Sequence, residues 1–423
     1  MTPSQAGSSL EDAEGLTEAV GPVSAEGRQP QVLVVTNAWP PMAAGTGRTL
    51  RGMLGRRPNT TVLAPRGSEP GLPNGARVQG TLRFSGRAGG LLKLHSALQH
   101  LEVVLAPVRW CFARPQSRPV LVVCVQPLFA GVGGLITRWI FGVPYVVLLH
   151  GEELTTMLRR GLGFRLRARL LRATLTRASA LICNASHTRR LAVELYGLPP
   201  ARAHVIHPSV DTEQQWDWSR EQLDELRQKV AGEDGRIVLM AGRLAETHKG
   251  FDVAIEALPE ILRGHPNVRL VIAGPDDQAA LLDLARKHNV LERVVLLGYV
   301  EPSRLAALFA VCEVFLLPGR EVEGNAEGFG VVFLEAGLAG KPVVAGRAGG
   351  APEAVVDGET GLLVDGRSPS EVAGAVGRLL ADRALAVRLG DNGRARVRRQ
   401  FDGREQHDQF AGVLRTVLSP AVV

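Results

Sequence analysis

The chain has 423 residues, 45% of them hydrophobic and 5% aromatic, with 48 glycines and a formal net charge of +7. That length exceeds what one hydrophobic core usually holds, so the composition describes a soluble globular protein of two domains. The four cysteines, Cys111, Cys124, Cys183 and Cys312, lie far apart without paired spacing, and three sit in apolar runs. This argues against a zinc site or a disulfide framework.

Residues 1–29 are rich in Ser, Gly, Pro, Glu and Ala and contain no hydrophobic stretch, which predicts a disordered tail and no secretory signal. The first buried-strand signature is QVLVVT (31–36), followed by the loop TNAWPPMAAGTGRTLRG (36–52). A glycine-rich turn after a first strand brings backbone amides close to a phosphate, although a plain tight turn would read the same way. A dinucleotide fingerprint fails twice. Leu50 takes the place of its third glycine, and the second strand, TTVLA (60–64), ends in Pro65-Arg66 rather than in an acidic residue for ribose.

From Val120 to Leu149 the chain is mostly apolar, but Gln126-Pro127, Gly133-Gly134, Arg138 and Gly142-Val143-Pro144 divide it. The pieces are shorter than the ~20 residues of a spanning helix, and they predict strand, helix, strand. His150 follows the strand YVVLL and opens the loop HGEELTT. There it can present its imidazole to a polar ligand or serve a structural role.

ALICN (180–184) repeats the buried-strand signature, and between Leu154 and Val193 stand nine arginines and no acidic residue. In FRLRARLLRATLTR (164–177), helical spacing puts Arg165, Arg169 and Arg172 near one face and Leu166, Leu170 and Leu171 near another. Such an element suits an anionic bilayer or, equally, a helix burying its leucines with arginines in solvent. Few aromatics interleave with the arginines, which disfavours nucleic acid.

A polar segment, Asp211 to Gly235, precedes a second series of strands that opens at RIVLMAG (236–242). The series continues with VRLVIAG, RVVLLG, VFLLPG and PVVAG, and 251–263 and 278–288 have a helical pattern. Strands alternating with helices imply parallel sheets covered on both faces, hence two doubly wound domains with ligands at the carboxyl ends of the strands. In the loop AGRLAETHKGFD (241–252), Arg243 and Lys249 match a diphosphate, although two solvated basic residues would look alike. In EGNAEGFGVVFLEAGLAG, Gly328 and Gly330 precede a helix-like run, 331–339, whose amino end favours phosphate. Glu327 and Glu335 flank that end, and ionised carboxylates accept hydrogen bonds from ribose and sugar hydroxyls. Cations for phosphates and carboxylates for sugars together describe a nucleotide-sugar site.

AGRL, KGFD and EGFGVVFLEAGLAGKPVVAGRAGGAPEAVVDGETGLLV resemble the carboxyl-terminal half of glycosyltransferase family four, retaining enzymes of the GT-B fold. TNAWPPMAAGTGRTL and LLHGEEL extend the resemblance to about residues 30–415. TNAWPP, GREVEG and VVAGRAGGAPEAV are most similar to mannosyltransferases acting on phosphatidylinositol mannosides. The resemblance implies two facing Rossmann-like domains with an interdomain cleft: an acceptor domain at 30–210, a nucleotide-sugar domain at 211–395, and a helical segment, 396–423, packing back on the first.

By the same resemblance Arg243 and Lys249 hold the diphosphate, Glu327 meets the donor sugar and Glu335 the ribose. The amides of Gly328, Phe329, Gly330 and Val331 cradle sugar and phosphate, and His150 stands near the transferred sugar. Gly45 and Gly47 face the diphosphate, and the base lies against the backbone of Tyr299 and Val300 in GYVEP. The sequence reads Ala44-Gly45-Thr46-Gly47 where relatives show adjacent glycines, which leaves the register of that contact open.

The implied reaction transfers a hexose, mannose from GDP-mannose first, to a lipid-linked or glycan acceptor with retention. In the implied scheme the leaving diphosphate accepts the acceptor's proton on the same face, and His150, Arg243, Lys249 and Glu327 serve the reacting centre. No metal or other cofactor is expected, and the chain contains no D-x-D triplet. A cytoplasmic location is expected, peripheral at the inner face of the membrane through Arg159–Arg177. The alternatives are a UDP-sugar-dependent enzyme on a soluble acceptor, a catalytically silent partner in polysaccharide assembly, and an epimerase or phosphorylase on the same fold.

Overall fold

The computed structural model describes residues 31–37, 44–54, 59–66, 68, 76–82, 92–156, 162–213 and 217–419. The expected tail at 1–29, the middle of the first loop (38–43), Arg159 and Arg160 therefore lie outside the described residues. The first domain contains β1 (Val32–Val35), β2 (Thr60–Pro65), β3 (Arg77–Leu82), β4 (Leu121–Cys124), β5 (Tyr145–Leu149), β6 (Ala180–Cys183) and β7 (Ala203–Val205). Between and after these strands run α1 (Ala44–Leu54), α2 (Leu92–Ala113), α3 (Phe129–Phe141), α4 (Glu152–Thr156), α5 (Leu162–Arg177) and α6 (Ser186–Tyr196). The seven strands are parallel, in the order β3-β2-β1-β4-β5-β6-β7.

The second domain is preceded by α7 (Arg220–Ala231). Its strands are β8 (Arg236–Ala241), β9 (Val268–Ala273), β10 (Val294–Gly298), β11 (Val314–Leu317), β12 (Val343–Gly346) and β13 (Gly361–Val364). The helices α8 (Phe251–Gly264), α9 (Ala279–Lys287), α10 (Pro302–Val311), α11 (Val331–Leu338), α12 (Ala351–Ala354) and α13 (Pro369–Ala381) complete the winding. The chain closes with α14 (Arg383–Gln400) and α15 (Arg404–Leu418). The strand order is β10-β9-β8-β11-β12-β13, again parallel.

The strand signatures work because both faces are covered. β1, β4, β5, β6 and β11 are buried at every position, as uninterrupted aliphatic runs require when helices lie on both sides. The apolar stretch 120–149 is β4, α3 and β5, as its interruptions predict, and no helix among the described residues is long and apolar enough to cross a membrane. β3, β7 and β13 have no counterpart among the sequence expectations. Each sits at the edge of a sheet and is short or polar, and RVQGTL in β3 lacks the continuous apolar run.

One face of the first sheet packs Val103 and Trp110 of α2, Ala130 of α3, and Leu171 and Leu175 of α5. The other face packs Leu50 and Met53 of α1 together with Phe410, Val413 and Leu414 of α15. The chain thus crosses back to the first domain after Phe401, which is itself buried in the second core, and Val210 N–H donates to Phe401 O across the junction (3.0 Å). The expected leucine stripe of α5 is corrected here. Leu171 is fully buried, but Leu166 and Leu170 are exposed, because the face that meets the sheet follows Leu171 and Leu175, one turn apart.

In each sheet the strand order reverses beside the first strand, between β1 and β4 and between β8 and β11. A crevice opens at the carboxyl ends of the strands at such a reversal. In the second domain it is bounded by the loop after β8, which carries Arg243 and Lys249, and by the loop from β11 to α11, which carries Glu327.

Candidate active site

Lys249 ends a single 3-10 turn, Thr247–Lys249, and Gly250 follows with φ +77 to start α8. That left-handed residue turns the chain sharply, so the Lys249 side chain runs inward and is only 9% exposed. A buried ammonium needs partners, and it has two. Its Nζ donates to Glu327 Oε2 at 2.7 Å and lies 3.2 Å from Glu246 Oε2. Burial disfavours the charged ammonium, but the Glu327 and Glu246 carboxylates outweigh it and its pKa is raised. For Glu327 burial likewise opposes ionisation, and Lys249 overcomes it, so the pKa is lowered.

Glu327 stands three residues before Gly330, which caps the amino end of α11 at φ +88. A Cβ at Gly330 would run into the Phe333 ring, so glycine is required there for conformation and for space. The loops after β8 and β11 are joined by Arg320. Its backbone N–H donates to His248 O (2.8 Å), and its guanidinium grips both oxygens of Asp252 on α8 (2.9 and 2.6 Å). Burial first, and then the neighbouring Lys249, lower the pKa of His248, which favours a neutral imidazole.

Arg243 differs from Lys249. Its side chain is 65% exposed, and its Nε is 3.7 Å from Asp276 and 4.0 Å from Glu246, distances of loose ion pairing rather than hydrogen bonding. Glu246 therefore neighbours both expected diphosphate cations.

The first domain closes the other side of the crevice. His150 follows β5, and its backbone N–H donates to Glu153 Oε1 (2.6 Å) while its carbonyl accepts from Asn184 Nδ2 (3.2 Å). Its Nε2 is buried without a hydrogen-bond partner. A Cβ on Gly328 would collide with His150 O and come within 2.9 Å of Asn184 Nδ2, so the backbone before α11 touches the loop after β5 directly. Thr155 of α4 donates to Asn325 across the same boundary.

Nearby, the Glu353 carboxylate of α12 accepts from the backbone N–H groups of Ser186 (2.9 Å) and His187 (3.3 Å) at the amino end of α6. It also meets His207 Nε2 at 3.0 Å. Burial works against its charge, but the His207 and α6 bonds prevail and bring its pKa down to about 2.

The structure thus brings together Lys249, Glu327, Gly328, Gly330 and His150, with Arg243 at the rim. Phe329 contributes backbone only: its ring is buried against His207 and Phe401. Val331 opens α11, and Glu335 lies half-buried in it. Tyr299 is exposed and Val300 half-buried beyond β10, two strands from β8 at the same carboxyl edge. Gly45 and Gly47 are corrected in one respect: they lie in the first turn of α1, not in a loop. Among the described residues no group of His, Cys, Asp and Glu could hold a metal ion.

Glu246, Glu153, Asn184 and Glu353 are contributors that sequence reasoning missed. Glu246 stands inside the Arg243-to-Lys249 loop, and a carboxylate between two cations is a signal that could have found it. Asn184 is joined to the site by the folding of the first domain, through His150 O, and Glu353 only by the meeting of the domains.

The facing pair of parallel sheets with a cleft at their switch points is the GT-B architecture. Over 92% of this chain and 100% of the other, the fold matches Anabaena HepE, solved with UDP and glucose, at a TM-score of 0.70 and 22% identity. WaaG, a glycosyltransferase involved in lipopolysaccharide biosynthesis, matches over 92% of this chain and 100% of its own at 0.66 and 18%.

Residues 31–214 match the family model "Glycosyltransferase Family 4", and residues 222–396 match "Glycosyl transferases group 1". The chain belongs to glycosyltransferase family four. It is 39% identical over 219 residues to a GDP-mannose-dependent alpha-(1-6)-phosphatidylinositol monomannoside mannosyltransferase of Mycobacterium tuberculosis, covering 51% of this chain and 56% of the relative. A D-inositol 3-phosphate glycosyltransferase of Acidothermus cellulolyticus is 37% identical over 215 residues, 48% of this chain and 46% of the relative. The chain thus spans about half the length of the curated relatives it matches.

Proposed function

We propose that the chain is a retaining hexosyltransferase that moves mannose from GDP-mannose to a lipid-linked or glycan acceptor. The observation that carries the donor site is the buried Lys249–Glu327 pair at the amino end of α11, with the unpartnered His150 Nε2 across the cleft. A diphosphate entering there draws on Lys249, on Arg243 at the rim and on the helix amides, all of which stabilise the charge that develops as it leaves. Glu327, released from Lys249 by the diphosphate, accepts from a hydroxyl of the donor sugar. Glu335 serves the ribose, and the base lies along Tyr299 and Val300. Gly45 and Gly47, at the amino end of α1, approach the diphosphate from the first domain. The acceptor hydroxyl attacks from the face that the diphosphate leaves and passes its proton to a departing phosphate oxygen, so the step needs neither a carboxylate nucleophile nor a metal.

The relative named as GDP-mannose-dependent supports the choice of donor and of a lipid-linked acceptor. The enzyme works at the cytoplasmic side of an anionic membrane, held by the basic region Arg159–Arg177. A second reading, transfer to a soluble sugar or phosphorylated polyol, is favoured by the relative named for D-inositol 3-phosphate.

A thermal-shift panel of GDP-mannose, UDP-glucose, UDP-N-acetylglucosamine and ADP-glucose tests the donor, since a ligand at 100 times its Kd stabilises by about 2.7 kcal/mol. GDP-mannose should give the largest shift, followed by acceptor-dependent release of GDP. A larger shift with a UDP-sugar overturns the choice of donor. Free sugar released without an acceptor overturns transfer.

A further inference from the structure

Among the described residues, seven of the ten large hydrophobic side chains that stand exposed lie on three helices, α2, α3 and α5. These helices cover one face of the first sheet and pack side by side. Trp139 near the end of α3 is 86% exposed and Phe112 near the end of α2 is 64% exposed. Both stand towards the carboxyl ends of adjoining helices, where the Phe112 ring meets Phe141 of α3 edge-on at 4.8 Å while Trp139 points from α3 into solvent. Ile140 and Leu105 add to the exposed apolar surface, and Leu166 and Leu170 stand one turn apart on α5.

The charge on this layer is almost wholly positive. The three helices contain a single acidic residue, Glu102, whereas Arg109, Arg138, Arg165 and Arg169 are all exposed among the apolar side chains. Guanidiniums also border the aromatic end, Arg118 lying over the Phe141 ring at 4.8 Å and Arg114 over Trp110 at 3.7 Å.

We infer that this α2–α3–α5 face, anchored by Trp139 and Phe112, is the surface on which the protein docks to an anionic lipid leaflet. Indole and phenyl rings enter the headgroup boundary while arginine stems lie along the apolar surface and their heads meet phosphate. A second copy of the chain fits less well. A two-fold contact would bring the same patch against itself and oppose guanidinium to guanidinium, with Glu102 the single acidic residue on the three helices. The inference rests on the membrane reading above but assigns the contact to a different set of residues. The cluster Arg165, Arg169 and Arg172 supplies attraction, and the anchoring lies in apolar side chains on neighbouring helices.

The test is sedimentation of the full chain with phosphatidylcholine vesicles, with and without phosphatidylglycerol, comparing wild type, the double variant Trp139→Ser/Phe112→Ser and the triple variant Arg165→Gln/Arg169→Gln/Arg172→Gln. Circular dichroism and GDP affinity serve as controls of the fold. Wild type should bind only the anionic vesicles. The double variant should lose about tenfold or more in partitioning with GDP affinity unchanged. The triple variant should weaken binding and flatten its salt dependence, since screening shortens from about 10 Å at 0.1 M to 3 Å at 1 M.

A double variant that partitions like wild type while the triple variant fails overturns this face and leaves the membrane reading standing. No binding by wild type removes both, and the nucleotide panel judges the donor site separately. If the double variant instead converts a dimer to a monomer in light scattering, the patch is an interface between copies and the inference is wrong.

Discussion

Replacing Lys249 with methionine keeps most of the side-chain volume and removes one charge from a buried three-charge cluster. At an effective dielectric of about 20, the 2.7 Å contact with Glu327 corresponds to roughly 6 kcal/mol of attraction and the 3.2 Å contact with Glu246 to about 5. Most of that is offset by the desolvation of the three groups. The net effect of the substitution is therefore set by what is left behind. Glu327 is 14% exposed and would be left buried without the ammonium that favours its charge, at a cost whether it stays ionised or takes up a proton, whereas Glu246, at 25%, turns to water and keeps Arg243 at 4.0 Å. A single stranded carboxylate predicts a loss of about 3 kcal/mol in folding stability, near the lower end for a broken buried pair.

Glu327→Gln in the Lys249→Met background removes the stranded carboxylate, so the double variant should recover about 1 to 2 kcal/mol relative to Lys249→Met. Urea denaturation of the four proteins closes the cycle. A loss below about 1 kcal/mol, or strictly additive effects, would refute the claim that a buried ion pair organises this site. The pH dependence supplies a second check. Lys249 has a raised folded pKa, so its contribution is complete below its unfolded value of about 10.4 and disappears as pH climbs through the folded value. Glu327 has a lowered one, so its contribution is complete above about 4.3 and disappears as pH falls through the folded value. The difference between wild type and variant should be flat between those limits and shrink outside them.

Arg243→Ala should weaken GDP binding by about 1.5 to 3 kcal/mol in calorimetry, the worth of a charge-assisted contact, while changing stability by less than about 0.5 kcal/mol, because the side chain is exposed and only loosely paired. Unchanged affinity would take it out of the donor site. Glu335→Ala should raise KM for the donor, and Glu327→Ala should mainly lower kcat, since a ribose contact persists through the reaction and a contact beside the reacting carbon does not. Steady-state kinetics showing the reverse would exchange the two roles. Glu353→Gln should remove acid sensitivity: the wild-type carboxylate, with its pKa at about 2, contributes stability that is present above about 4.3 and lost as pH falls towards 2. Parallel acid denaturation curves for the two proteins would show that the bond to α6 contributes nothing.

How much of this was legible in the chain depends on the range of the interaction involved. Ten strands could be read directly because a strand buried on both faces must be apolar at successive positions, as VLVV and LVVC are. β3, β7 and β13 could not, because RVQGTL is largely polar and AHV and GLLV are too short to show a continuous apolar run. Local chemistry likewise marked Arg243, Lys249, Glu327 and the glycines before α11, since phosphate- and sugar-binding loops announce themselves by charge and by conformational freedom within a few residues.

Contacts made between segments remote in the sequence were invisible until the chain was folded. Lys249 and Glu327, 78 residues apart, were expected on different parts of a donor and instead neutralise each other. Glu353 reaches Ser186 over 167 residues, and α15 joins the core of the domain that the chain left long before. In α5 the helical period was readable, but which leucines face the sheet was not, because periodicity fixes the spacing of a stripe and only packing against β5 and β6 chooses its direction. The sequence by itself therefore determined the two parallel sheets and the residue types at the mouths of their strands, both consequences of local pattern. The tertiary structure alone decided which of those charges pair, how the domains touch at Gly328 and His150, and which apolar side chains remain in solvent, because each depends on surfaces that folding brings together.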